Sequence, residues 1–356
     1  MVMDHLSPAM NAKTAADHAL CREFAQKMGV KNFFDVNSGI AHIVLMEHGL
    51  VRPGQFIIGT GDGGPPFEPG EQLEPGVRAT PGTVGYLGDP DDLTVLNAGD
   101  PLPEEWAAAW DDGALIVTAD NVVIDHYRIN ADVIFFGDDP TVTNCVIHSP
   151  DGHLYGLTIN GGGHGVLTVT DTTVVGSNTE PAQSDGISSD SGLRAIRCDV
   201  SGTGDGIHVT AQPDPDDCVV SQCVVHDLAF LNEEQHCDAI QQFPHATTDS
   251  FFTCEYTYIA SSDSTIGTPM NSATGAGVNP GVDAPLVTPV FNDNFLEGGL
   301  YHLRLGDRVQ NVVVTNNDFG PVHSGEFNYY DYQPGVDIAT WSNNRDENGD
   351  LIDPPA

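Results

Sequence analysis

The chain has 356 residues, of which 51 are Asp or Glu and only 12 are Lys or Arg, giving a formal net charge of −39. Phosphates would be repelled by such a surface, which argues against nucleic-acid or anionic-membrane partners. A hydrophobic content of 40% still allows a packed core, and 39 Gly with 24 Pro favour a turn-rich β protein over a helical one.

The charge is not evenly spread. All three lysines (Lys13, Lys27 and Lys31) lie in the first sixty residues, where acids and bases balance. Everything after residue 60 is lysine-free and carries the whole negative excess. Such a break marks two pieces of different history. No apolar run reaches the roughly 20 residues of a membrane span. The opening MVMDHLSPAMNAK lacks the basic-then-apolar layout of an export leader.

In chain order, residues 12–28 predict an amphipathic helix. Ala16, Leu20, Phe24 and Met28 recur every four positions, Asn11 can cap the start and Gly29 ends it. A second helix is expected from Gly39 to His48, with Ser38 as its cap. Gln55–Gly59 reads as a buried strand. Residues 1–60 closely resemble the aconitase and 3-isopropylmalate dehydratase large-subunit family, through stretches such as MDHLSPA, FFDVNSGIAH and GQFIIGT. That resemblance implies active-site roles for Asp4, His5 and His42. The family's continuation after I-G-T is replaced here by Gly61-Asp62-Gly63-Gly64, and its three cluster-binding cysteines have no counterpart. The expectation is an inactive, loosely packed, truncated α/β segment with no iron–sulfur cluster.

Residues 61–82 are rich in Pro, Gly and Glu and read as a linker. Beyond them a motif of short β-forming runs recurs: VVIDHYRI, TVTNCVI, LTVTDTTVV, LRAIRCDV, CVVSQCVV, FFTCEYTYI, PVFNDNFL, VVVTNNDF and ATWSNNRD. Aligned on a central polar residue, they set Asp125, Asn144, Asp171, Arg197, Gln222, Cys254, Asp293, Asn316 and Asn343 in one column. Repeats of roughly 25 residues with short strands signify a solenoid. The next column holds Cys145, Thr172, Cys198 and Cys223, then Asn294, Asn317 and Asn344. There the cysteines serve as small inward residues or as a disulfide between neighbouring repeats, and the stacked asparagines can bond along the axis. The prediction is a mainly β protein, a right-handed parallel β-helix over 83–356.

A second strand per repeat is signalled by Asp-small-Ile in SDGISS, GDGIHV and CDAIQQ. Isoleucines 187, 207 and 240 would face inward, and Ser188, His208 and Gln241 outward. GLYHLRL would extend this face, with His302 and Arg304 outward. Loops are expected near 226–237 and 260–288. Residues 83–356 resemble the right-handed parallel β-helix superfamily that includes pectate lyases and polygalacturonases. The resemblance implies an extracellular or cell-surface monomer that binds or degrades a polysaccharide or cell-surface glycan, as lyase or hydrolase. A non-catalytic adhesion or structural solenoid remains the alternative, and residues 1–60 alone imply a hydro-lyase. Candidate catalytic residues are Asp185, Asp205, Asp238, His208, His302 and Arg304. The three aspartates are also candidate ligands for Ca²⁺, because stacked carboxylates repel unless one is protonated or a cation is held. The plainer account is that each Asp starts its strand as a turn former.

Overall fold

A computed structural model describes residues 73–74, 76–150, 155–159, 165–177, 185–229, 238–243, 249–260, 272–276, 286–297, 301–306, 309–320, 330–332 and 336–354, with single positions at 22, 25 and 27. The chain divides into two compact units, Met1–Glu68 and Pro69–Ala356. In the first, Arg22, Ala25 and Lys27 are helical, in keeping with the helix expected over 12–28. The second helix, the Gln55–Gly59 strand and the packing of 1–60 lie outside the described residues.

The second unit is mainly β. Its described residues form two nine-stranded sheets, one ten-stranded sheet and a two-stranded pairing of Leu286–Val287 with Val309–Gln310, and in the three large sheets the neighbours come from successive passes of the chain. One pass illustrates the rest. Leu167–Thr170 lies in one sheet, Thr173–Val175 in the next and Asp185–Ser189 in the third. The chain then returns at Leu193–Ile196, parallel to Leu167–Thr170 and in register. Pairing within the sheets is parallel apart from the hairpin Ala108–Asp111 with Ala114–Val117, which begins the ten-stranded sheet. Alternation sets the core: Val142, Val169, Ala195, Val220, Cys254 and Phe291 are fully buried on consecutive strands.

The sharp corner between the first two sheets is made by one left-handed residue per pass. These are His126, Asn144, Asp171, Arg197, Gln222, Tyr256, Asp293, Asn316 and Asn343, with φ between 49° and 63°. The expected column therefore needs two corrections. Asp125 is the last residue of Val123–Asp125, and Cys254 sits inside Thr253–Glu255. The corner falls one and two residues later, on His126 and on Tyr256, the latter a bulky type that rarely takes this conformation.

The residue after each corner points inward, where its N–H cannot join a strand ladder. The side chain of the next pass accepts it instead. Cys145 N–H donates to Thr172 Oγ1 (3.3 Å), Cys223 N–H to Thr257 Oγ1 (3.3 Å) and Thr257 N–H to Asn294 Oδ1 (3.0 Å). Asn294 N–H donates to Asn317 Oδ1 (3.0 Å), and Asn317 N–H to Asn344 Oδ1 (3.1 Å). A buried donor left unmet is costly, so this column must carry acceptors.

Two further expectations change. The described part of the supposed linker, from Leu73, lies along the corners. Leu73, Ala79 and Val84 are buried, and Ala79 N–H donates to Tyr256 O (2.8 Å). Gly85 N–H donates to Arg197 O (2.9 Å), and the Gln222 side chain donates to Glu74 O and Val77 O. Arg78 pairs with both Asp293 and Asp318. The expected loop at 260–288 contains Ser272–Ala276, a strand between Asp238–Phe243 and Tyr301–Leu305. The five described cysteines are free and buried, so no disulfide joins them. Among the described residues no helix is long and apolar enough to cross a membrane.

Candidate functional site

The three Asp-small-Ile segments do stack. Asp185–Ser189, Asp205–Thr210 and Asp238–Phe243 are consecutive parallel strands of the ten-stranded sheet, with Asp185 opposite Asp205 and Ile187, Ile207 and Ile240 in one row. The small residue is explained by space rather than by turn geometry. A Cβ on Gly186 would lie 2.4 Å from Val200 Cγ1, and one on Gly206 would lie 2.4 Å from Val225 Cγ1. Neither glycine has a positive φ, so the Asp-Gly pairs are not turns. They let the strand approach the neighbouring sheet while the aspartate before each begins the strand.

All three aspartates are buried, between 2% and 7% exposed. Asp238 N–H donates to Asp205 Oδ1 (2.7 Å), and Gln241 Nε2 donates to Asp238 Oδ2 (3.1 Å). His208 Nδ1 lies 3.2 Å from Asp185 Oδ2, and its ring meets Phe243 edge-on with centroids 5.0 Å apart. His208 Nε2 is buried with no hydrogen-bond partner among the described residues.

Electrostatics separates the members of this group. Burial pushes Asp205 up to about 8; the Asp238 N–H opposes this, and the charges of Asp185 and Asp238 add to it. Asp205 is therefore largely protonated at neutral pH. For His208, burial acts downward but is outweighed by the hydrogen bond and charge of Asp185, aided by Asp205 and Asp190, so its pKa is raised. A neutral carboxylic acid at Asp205 thus adjoins the Asp185–His208 hydrogen bond.

The other expected members are not brought in. His302 is 2% exposed, and its ring meets the buried Phe319 edge-on at 5.8 Å. It therefore faces the interior rather than outward. It follows Tyr301 as Gly186 follows Asp185, the position that packs inward. Arg304 shares the outward row of His208 and Gln241, but Gly275 stands between it and Gln241. Three strand spacings separate it from His208, about 14 Å. Sequence reasoning missed this because Ser272–Ala276 carries no aliphatic alternation. Among the described residues no group of three His, Cys, Asp or Glu, Asp185, Asp205 and Asp238 included, is placed to hold a metal ion such as the expected Ca²⁺. One reason is that Asp238 is met by Gln241, Asp205 by a backbone N–H and Asp185 by His208.

His226, at the start of the loop expected near 226–237, is held between two aspartates. It ends Val224–His226 and bridges Asp199 (2.9 Å) and Asp227 (2.7 Å). The Asp199 hydrogen bond leads in raising it to about 9, and burial opposes this.

No protein-family model matches this chain. Curated relatives match it over a short N-terminal stretch. A probable 3-isopropylmalate dehydratase large subunit of Methanothermobacter thermautotrophicus is 40% identical over 60 residues, 17% of this chain and 14% of that protein. The corresponding large subunit 1 of Methanopyrus kandleri is 42% identical over 59 residues, and that of Clostridioides difficile 47% over 60, with the same two shares. The chain thus spans about one-seventh of the length of these relatives.

These names support the resemblance expected of residues 1–60 and correct the main functional expectation. They point to the hydro-lyase class and not to a secreted, glycan-binding or polysaccharide-degrading protein. The pectin-lyase, carbohydrate and extracellular readings are therefore withdrawn. Four of the described cysteines are poor candidates for holding an iron–sulfur cluster. Cys145 and Cys218 are each pushed up to about 12, and Cys198 and Cys254 upward, chiefly by burial. Metal-binding thiolates are thus disfavoured there.

Proposed function

We propose that residues 1–60 are a hydro-lyase segment of the 3-isopropylmalate dehydratase large-subunit type, and that this is the functional class to which the chain belongs. The observation that carries the reading is the 40–47% identity over about 60 residues. By the family resemblance, Asp4, His5 and His42 contribute active-site side chains. The cluster that such a centre uses as a Lewis acid does not fit those four cysteines, so no step is assigned through it. The test is isopropylmalate dehydration by the full chain after anaerobic treatment with iron and sulfide. Turnover that is lost in His5→Ala and in His42→Ala supports the reading. Absence of both turnover and any substrate-induced rise in melting temperature overturns it.

For residues 83–356 we propose a right-handed parallel β-helix, supported by three sheets visited in the same order on each pass. A second reading concerns this part: Asp205 is a proton donor held beside the Asp185–His208 pair. It is favoured by the burial of Asp205 between two other carboxylates. A ¹³C titration of the Asp205 carboxyl with a midpoint near 8 would agree, and a midpoint near 4 would remove it.

A further inference from the structure

Two cysteines occupy successive places in the inward column. Ile196 pairs with Ser221 and Asp199 with Val224, so Cys198 stacks directly on Cys223 between those pairs. Val224 N–H donates to Cys198 O (2.8 Å), which fixes the stacking. Neighbouring parallel strands lie about 4.8 Å apart, within the roughly 4.4–6.8 Å between Cα atoms that a disulfide spans. The thiols now donate to backbone carbonyls: Cys198 to Val169 O (3.4 Å) and Cys223 to Ala195 O (3.3 Å). These are weak donors, so giving them up costs little.

We propose that Cys198 and Cys223 are an oxidation site, a thiol pair that closes into a disulfide between successive passes when the chain folds in the presence of a small-molecule disulfide. One thiol, as thiolate, attacks the small disulfide and releases one small thiol. The second cysteine then displaces the other small thiol. Two protein thiols are oxidised, one disulfide is reduced, and the two protons end on the released thiols. Both cysteines are fully buried, so the exchange belongs to the folding chain and the finished bond is shielded from reductant. Cys145 is separated from Cys198 in the column by Thr172, and Cys254 lies within a strand rather than in that column.

The test is to refold the full chain from denaturant in oxidised and reduced glutathione, and separately in dithiothreitol, then to map cross-linked peptides without reduction. The expected result is a Cys198–Cys223 cross-link and a melting temperature above that of the dithiothreitol sample. The increase should be absent in Cys198→Ala and in Cys223→Ala. A Cys145–Cys198 or Cys223–Cys254 cross-link in its place overturns the proposal. So does a cross-linked protein that melts lower, or the absence of any cross-link in a chain that refolds.

Discussion

Replacing Asn317 tests the reason for the inward column most directly. Asn317 is fully buried. Its Oδ1 accepts from the backbone N–H of Asn294 and from Asn294 Nδ2, both at 3.0 Å. Its Nδ2 donates to Phe291 O (2.9 Å) and to Asn344 Oδ1 (3.0 Å). Alanine removes all four bonds. The Asn294 N–H is then buried without an acceptor, costing about 1–3 kcal/mol, and the loss at the Phe291 carbonyl costs about 1 kcal/mol. The void adds about 1 kcal/mol. Asn317→Ala should therefore destabilise by about 3–5 kcal/mol, the upper range for a single substitution.

Threonine separates the hydrogen bond from the volume. Thr172 and Thr257 hold equivalent places, and each hydroxyl accepts the N–H of the preceding pass while donating to its own backbone two residues back. Asn317→Thr should keep the acceptor for Asn294 and cost about 1–2 kcal/mol. Urea unfolding followed by circular dichroism, with an unchanged slope, measures both. An alanine variant within about 1 kcal/mol of the parent, or a threonine variant as weak as alanine, would refute the reasoning.

Other outcomes follow from the same geometry. Arg78→Ala frees residues 73–87 from Asp293 and Asp318. Because those groups are partly exposed, the loss should be only about 1–2 kcal/mol, but limited proteolysis should now cut that segment first. The folded pKa of Asp205 lies above its ordinary value, so folding favours its protonated form. Its contribution is intact below pH 3.8 and is lost as pH rises toward about 8. Asp205→Asn, which retains an acceptor for Asp238 N–H, should melt higher than the parent at pH 8 and no higher at pH 4. His226 is likewise raised, and its stabilisation is present below about 6.5 and lost as pH rises through about 9. His226→Gln should remove that slope from melting temperature measured between pH 7 and 10. At a net charge of −39, self-repulsion should make the melting temperature climb between 0.05 and about 1 M KCl, where screening lengths shrink to about 3 Å; a flat response would show the charge to be locally compensated.

Much of the β part was legible because its repeat leaves local marks. Asn144, Asp171, Asn316 and Asn343 are residue types that tolerate a left-handed corner, so their spacing could be read directly. Tyr256 fills the same role without that preference, and His126 follows an aspartate that equally suits a corner, so neither position is marked by residue type alone. The inward asparagines were legible as a run and Thr172 by its place between cysteines, whereas Thr257 showed its equivalence only through the bond it accepts. The course of residues 73–87 was illegible for a different reason. Its hold on the sheets comes from backbone groups and from Arg78 reaching partners more than 200 positions away, and no periodicity records such contacts. At the acidic group, the stacking of three aspartates followed from Asp-small-Ile. The inward turn of His302 did not, because it depends on the space beside Phe319 and on an intervening strand with the sequence SATGA.

The columns of this fold constrain roles rather than identities. One place per pass needs a left-handed backbone, and Asn, Asp, Gln, Arg, His and Tyr all meet it. The next needs a small inward side chain that can accept an N–H, and Cys, Thr and Asn all serve. On three successive passes a third needs a residue without bulk against the neighbouring sheet, and Gly186, Gly206 and Ala239 qualify, whereas His302 fills the same place two passes after Ala239. Interchange within each role preserves the backbone hydrogen bonds, so successive passes can drift far apart in sequence while remaining in register. Asp185, Asp205 and Asp238 break that rule. No backbone requirement calls for three carboxylates in adjacent passes, and burying them raises Asp205 against the stability of the fold. Swapping each for Asn separates the two accounts. Stabilisation at neutral pH with the sheets intact means that the carboxylates are kept for proton chemistry, and loss of folding means that they are kept for structure.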